Sequence, residues 1–61
     1  MNKDYIPKKG DKFNAIQKEG NAFDKSNPQI CLKKHDIFVT AIDGNGNERF
    51  FRFADWRFEK I

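Results

Sequence analysis

Residues 37–53 read IFVTAIDGNGNERFFRF. Two runs rich in β-branched and aromatic residues flank Asp43-Gly44-Asn45-Gly46. Such residues suit a pleated, half-buried surface, and Asn-Gly supplies the positive φ that tight hairpin turns need. The stretch therefore predicts a hairpin, one strand over residues 36–42 and its return over 48–53. With Asn45-Gly46 as a two-residue loop, Ile42 stands opposite Arg49, Thr40 opposite Phe51 and Phe38 opposite Phe53. One face then carries Phe38, Ile42, Phe51 and Phe53 for the core, and the other Ile37, Val39, Phe50 and Arg52. A hairpin with one wet side should be polar on that second face. It is not, so either strong curvature buries it or it is a contact surface. A one-residue slip at Gly46 would exchange these partners.

Working outward, residues 7–13 read PKKGDKF and residues 32–38 read LKKHDIF. The shared frame is Lys-Lys-x-Asp-x-Phe. Each copy is expected to form a polar turn before a strand, with Phe13 and Phe38 as the first core residues. Gly10 readily takes positive φ, and His35, in the equivalent place, is of a type enriched there. Asp11 and Asp36 are expected to bond their own backbone two residues on. Residues 12–18 alternate as a strand, with Phe13 and Ala15 on one side and Asn14 and Ile16 on the other. Residues 18–29, KEGNAFDKSNPQ, are a loop of turn formers, with Phe23 as its expected anchor into the core. Residues 30–32 form a short strand, residues 54–56 a brief turn and residues 57–61 a last strand. Residues 1–6 are expected to be a loose segment, with Tyr5 and Ile6 tacked onto the core, ahead of one domain.

Five short strands, a long early loop, a tight hairpin and a short turn before the last strand make a recognisable order. In KKGDKF, IFVTAIDGNGNERFFRF and ADWRFEKI the chain resembles the SH3-like small barrel over residues 7–61. The fold class implied is all-β, a five-stranded SH3-like barrel. Peptide-binding SH3 domains carry an aromatic-rich motif near the first strand and then an acidic loop. Here the strand is FNAIQKE and the loop is mixed in charge, so proline recognition is not implied. The glycine-hydrophobic-glycine core of the KOW motif is missing too. Small barrels host many unrelated functions.

A chain of 61 residues makes one domain at most and buries only about 60% of its unfolded surface. Domains of this size often depend on disulfides, a metal or a partner. One cysteine and one histidine exclude an internal disulfide and a usual zinc site. The core must come from large side chains, and seven Phe, one Trp and one Tyr supply them. A lone cysteine fits a reducing compartment, no apolar run spans a bilayer, and the N-terminus lacks a signal-peptide pattern. The location expected is cytoplasmic. Small size and richness in Lys, Asn, Phe and Ile suit a phage- or plasmid-encoded origin.

The residues that could carry chemistry have plainer readings. Cys31 and His35 are spaced C-x3-H, but as a buried thiol and a turn histidine they need no metal and no nucleophile pair. Asp43 and Glu48 flank the hairpin turn, and Asp55 caps the turn before Trp56. Gly44 and Gly46 lie in a hairpin, not in a phosphate loop. No catalytic set, cofactor or small-molecule substrate is expected. What remains is a binding surface: Lys8 and Lys9 from one turn, Lys33 and Lys34 from the other, Arg49, Phe50 and Arg52 from the hairpin. The positive charge is uneven, with eight lysines against five acids in residues 1–36 and an even balance beyond. Aromatic and basic side chains together suit nucleic acid, by stacking and backbone tracking. They equally suit docking on a larger protein, as an adaptor or inhibitor. A homodimer stays open.

Overall fold

The computed structural model describes residues 5–61. Five strands follow one another: β1 (Lys12–Gln17), β2 (Gln29–Lys34), β3 (Phe38–Ile42), β4 (Glu48–Arg52) and β5 (Trp56–Lys60). They form one antiparallel sheet in the order β4-β3-β2-β1-β5. The first four strands meander, and the chain then returns to lay β5 beside β1. All-β architecture is as expected. The expected loose segment falls partly outside the described residues. Within them, Tyr5 packs against the core and its hydroxyl donates to Asp11 Oδ2 at 3.0 Å.

One face of the sheet carries the core: Phe13, Ala15, Cys31, Val39, Ala41, Phe51 and Phe58, with Phe53 and Trp56 packed against it. The rings meet edge to face. Phe13 lies 6.0 Å from Phe51 and 5.3 Å from Phe58, and Phe51 lies 4.9 Å from Trp56. This geometry sets ring edges against the negative faces of their neighbours and adds to area burial.

The hairpin register differs from expectation by one residue. Gly46 N donates to Asp43 O at 3.0 Å and Asp43 N to Asn47 O at 2.9 Å, while Gly46 alone in the turn takes positive φ (+85°). This is a three-residue loop ending in a bulge glycine. Ile42 therefore faces Glu48, Ala41 faces Arg49, Val39 faces Phe51 and Phe38 faces Arg52. Val39 is fully buried and belongs to the core, not to a contact face. Phe38 and Ile42, expected in the core, sit half-buried on the opposite face. Phe51 is buried, as expected, and Phe50 is 62% exposed, the open one of the two alternatives for that ring.

The second copy of the repeated frame is not a turn at its lysines. β2 continues through Lys33 and Lys34, and the reversal comes at residues 35–37, where His35 N donates to Phe38 O at 2.8 Å. His35 does not take the positive φ that Gly10 takes (+88°). Asp11 bonds backward, accepting from Lys8 N at 3.0 Å, because the Lys8–Asp11 turn brings that amide to it.

The long loop is anchored by polar groups rather than by Phe23, which is 57% exposed. Asn27 imitates a neighbouring strand: its Oδ1 accepts from Ala15 N and its Nδ2 donates to Ala15 O, both at 3.0 Å. That pairing fixes which way the Asn27 amide points. Asn27 Oδ1 then accepts from Gln29 Nε2 at 3.0 Å, which orients the fully buried Gln29.

Candidate functional site

Residues directly opposite in an antiparallel pair share a face. On β3 and β4 the face away from the core holds Phe38, Thr40, Ile42, Glu48, Phe50 and Arg52. Ile30 joins it opposite Ile42. Phe50, at 62%, and Ile30, at 42%, are its exposed large apolar groups. Phe38 is partly covered, since the His35 ring stacks on it at 4.3 Å and 12° and the Phe50 ring makes a T-shaped contact with it at 5.8 Å.

A bulge in β2 adds a cation to this face. Cys31 pairs with Ala41 on the core side, but the next partners are Lys33 with Thr40 and Lys34 with Val39. In a regular strand Lys33 would share a face with Cys31, two residues earlier. Leu32 is the extra residue, and beyond it the alternation inverts. Lys33, Thr40 and Phe50 consequently form one row across three strands. Thr40 Oγ1 donates to Lys33 O at 3.4 Å.

The other expected site residues are distributed unequally. Lys8 and Lys9 are exposed on a turn that Gly10 N, donating to Cys31 O at 2.8 Å, holds against β2. Lys34 is exposed at the end of β2. Arg52 is on the aromatic face but shares its charge with Asp55, Nε to Oδ2 3.7 Å. Arg49 is elsewhere: it lies on the core side opposite Ala41, its guanidinium 5.1 Å from the Phe51 ring centroid. It donates to Asp24 Oδ2 at 2.8 Å and Ser26 Oγ at 2.7 Å, and sits 3.8 Å from Asp43 Oδ2. Sequence reasoning put Arg49 in the binding set because nothing local distinguishes it from Arg52. It missed Thr40 and His35, whose roles depend on the bulge and on the reversal at residues 35–37.

The Asp24 and Asp43 carboxylates are engaged in hydrogen bonds and ion pairs that hold the fold. Burial pushes the Asp24 carboxyl up, but hydrogen bonds from Arg49 and Ser26 outweigh it and hold the pKa below its ordinary value. Asp43 is lowered by the Asn47 and Asn45 amides, against an opposing push from burial, and by Arg49. Burial raises the Cys31 thiol, which disfavours the reactive thiolate. Cys31 lies in the core while the His35 ring rests on Phe38 of the other face, so the two do not assemble. Among the described residues no three His, Cys, Asp or Glu side chains gather as a metal site. No helix there is long and apolar enough to cross a membrane. A groove of about 340 Å³ opens between Gln17–Glu19 and Ala54–Trp56.

The chain matches no family model, no curated protein and no solved structure.

Proposed function

We propose that the protein is a non-enzymatic binding module of the SH3-like small-barrel type, and that its ligand is nucleic acid held on the β2–β4 face away from the core. The sheet order, a four-strand meander with β5 returned to β1, supports the barrel reading. The observation that carries the function is the exposed Phe50 ring in one cross-strand row with Lys33. An open aromatic face beside cations fits stacked bases and tracked phosphates. Arg52 shares that face opposite Phe38, Lys8, Lys9 and Lys34 are exposed cations, and the chain carries +3 overall. The non-enzymatic reading rests on the carboxylates: Asp24, Asp43 and Asp55 are paired with Arg49 or Arg52. Cys31, buried and unpaired, suits a reducing compartment such as the cytoplasm.

Binding of labelled single- and double-stranded oligonucleotides at low salt tests this. Affinity should fall steeply as salt rises, because neutralised phosphates release counterions. No binding of either form would sink the reading. One observation favours a second reading, docking on a larger protein: Ile30, Leu32 and Ile37 are also exposed, at 42%, 37% and 64%. Such an interface would depend little on salt.

A further inference from the structure

We infer that the ligand is a single strand, one of whose bases stacks on Phe50 while an adjacent phosphate is held by Lys33, the lysine that the β2 bulge turns onto this face. The inference rests on the nucleic-acid reading above and narrows it.

Three observations carry it. The first is the number of open rings. Phe38 is half-buried with the His35 ring stacked on it, while Phe50 is 62% exposed and makes one T-shaped contact, so Phe50 is the ring best placed to take a base. Bases inside a duplex are already stacked and cannot lie on a ring standing out from a sheet; unpaired bases can. The second is the spacing. Lys33 and Phe50 flank Thr40 in register, two strand separations apart, or roughly 10 Å between backbones. A flexible lysine and a base stacked on the ring span that distance within a nucleotide and its phosphate. The third is the charge. Duplex DNA presents about one charge per 1.7 Å of axis and is matched by a dense basic stripe. Here Arg49 is withdrawn into the loop network and Arg52 shares Asp55. Glu48, on the same face opposite Ile42, repels phosphates from the hairpin end. The phosphates are therefore kept toward Lys33.

The bulge is what makes this row possible. Were β2 paired without the bulge, Leu32 would stand opposite Thr40, Lys33 would share the core side with Cys31, and the aromatic face would lose its central cation. Bulges characteristically re-aim a side chain where a site needs it.

The test uses a fluorescently labelled oligothymidylate of about a dozen nucleotides and a duplex of equal length, followed by anisotropy at low salt. Each variant is first checked for folding by thermal melting. The single strand should bind tighter than the duplex. Phe50→Ala should weaken it roughly 5- to 100-fold, and Phe50→Tyr should restore most of the affinity. Lys33→Gln should weaken binding and reduce the log–log salt slope by about 0.7. The Phe50→Ala/Lys33→Gln double variant should lose less than the product of the single losses. Lys25→Gln removes the same charge from the long loop and should matter less. Duplex binding as tight as the single strand, or Lys33→Gln no worse than Lys25→Gln, overturns the inference while leaving nucleic-acid binding standing. Absence of binding to both oligonucleotides removes the inference and the reading together, and a protein partner then takes the Phe50 face.

Discussion

Arg49 on β4 reaches Asp24 in the long loop, 25 residues earlier in the chain, through two hydrogen bonds of 2.8 and 3.2 Å. The pair ties the loop to the hairpin sheet. Asp24 has only 9% of its side chain exposed, against 33% for Arg49. Removing the cation leaves a largely covered carboxylate without its counter-charge. Arg49→Met should destabilise the fold by about 1–3 kcal/mol, between an exposed pair and a fully buried one. Urea denaturation measures this. Oligonucleotide affinity should change far less than for Lys33→Gln; an equal loss would return Arg49 to the binding surface.

Stability should fall in acid. The folded-state pKa values of Asp11, Asp24 and Asp43 all lie below the ordinary 3.8. For carboxyls depressed on folding, the contribution is present above the unfolded value and lost as pH falls through the folded one. Thermal midpoints should hold near neutrality and drop below about pH 4. Asp24→Asn should flatten that drop while lowering the neutral midpoint. A midpoint that rises in acid would contradict these hydrogen bonds.

Tyr5 gives the alkaline counterpart. Burial first, then its hydrogen bond to Asp11, pushes its pKa up to about 12 from 10.0. A raised pKa contributes stability below the unfolded value that is lost as pH rises through the folded one. Since Tyr5 is the chain's single tyrosine, ultraviolet titration reads it directly. Ionisation near 10 in the folded protein would show the contact is not made.

Phe50 and Phe51 are neighbours with opposite fates. Phe51 is fully buried against Phe13, Trp56 and Phe58. Phe51→Ala should cost about 3–5 kcal/mol, enough to unfold a chain this small. Phe50→Ala should cost within about 1 kcal/mol, as an exposed ring with one edge contact. Equal losses of melting temperature would show both rings to be core, and the proposed binding face would be abandoned.

Gly46→Ala tests the turn. At φ +85° an added Cβ costs about 1–2 kcal/mol for an L-residue, although nothing crowds the site. Gly46→Asn should recover part of this, since asparagine visits that region more readily. No measurable cost from Gly46→Ala would argue against the bulge glycine and the register it sets.

Local chemistry made much of this fold legible in the chain. β-branched and aromatic runs marked the strands, and glycine, asparagine and aspartate marked the reversals, because both depend on a few adjacent residues. An aromatic core followed from the residue counts. Register did not follow. Asp43-Gly44-Asn45-Gly46 satisfies a two-residue turn and a three-residue turn almost equally, and a shift of one moves every side chain of β3 to the other face relative to β4. The choice came from distant groups: the Gly44 amide bonds Ser26 O at 3.0 Å, and Phe51 packs between Phe13 and Trp56. The bulge at Leu32 was equally silent, for it is seen only when β2 is laid against β3. So Phe50 was recognisable in the sequence as a candidate contact. Its pairing with Lys33, and the withdrawal of Arg49 to Asp24, were decided by tertiary structure, because both bring together residues whose separation along the chain carries no local signal.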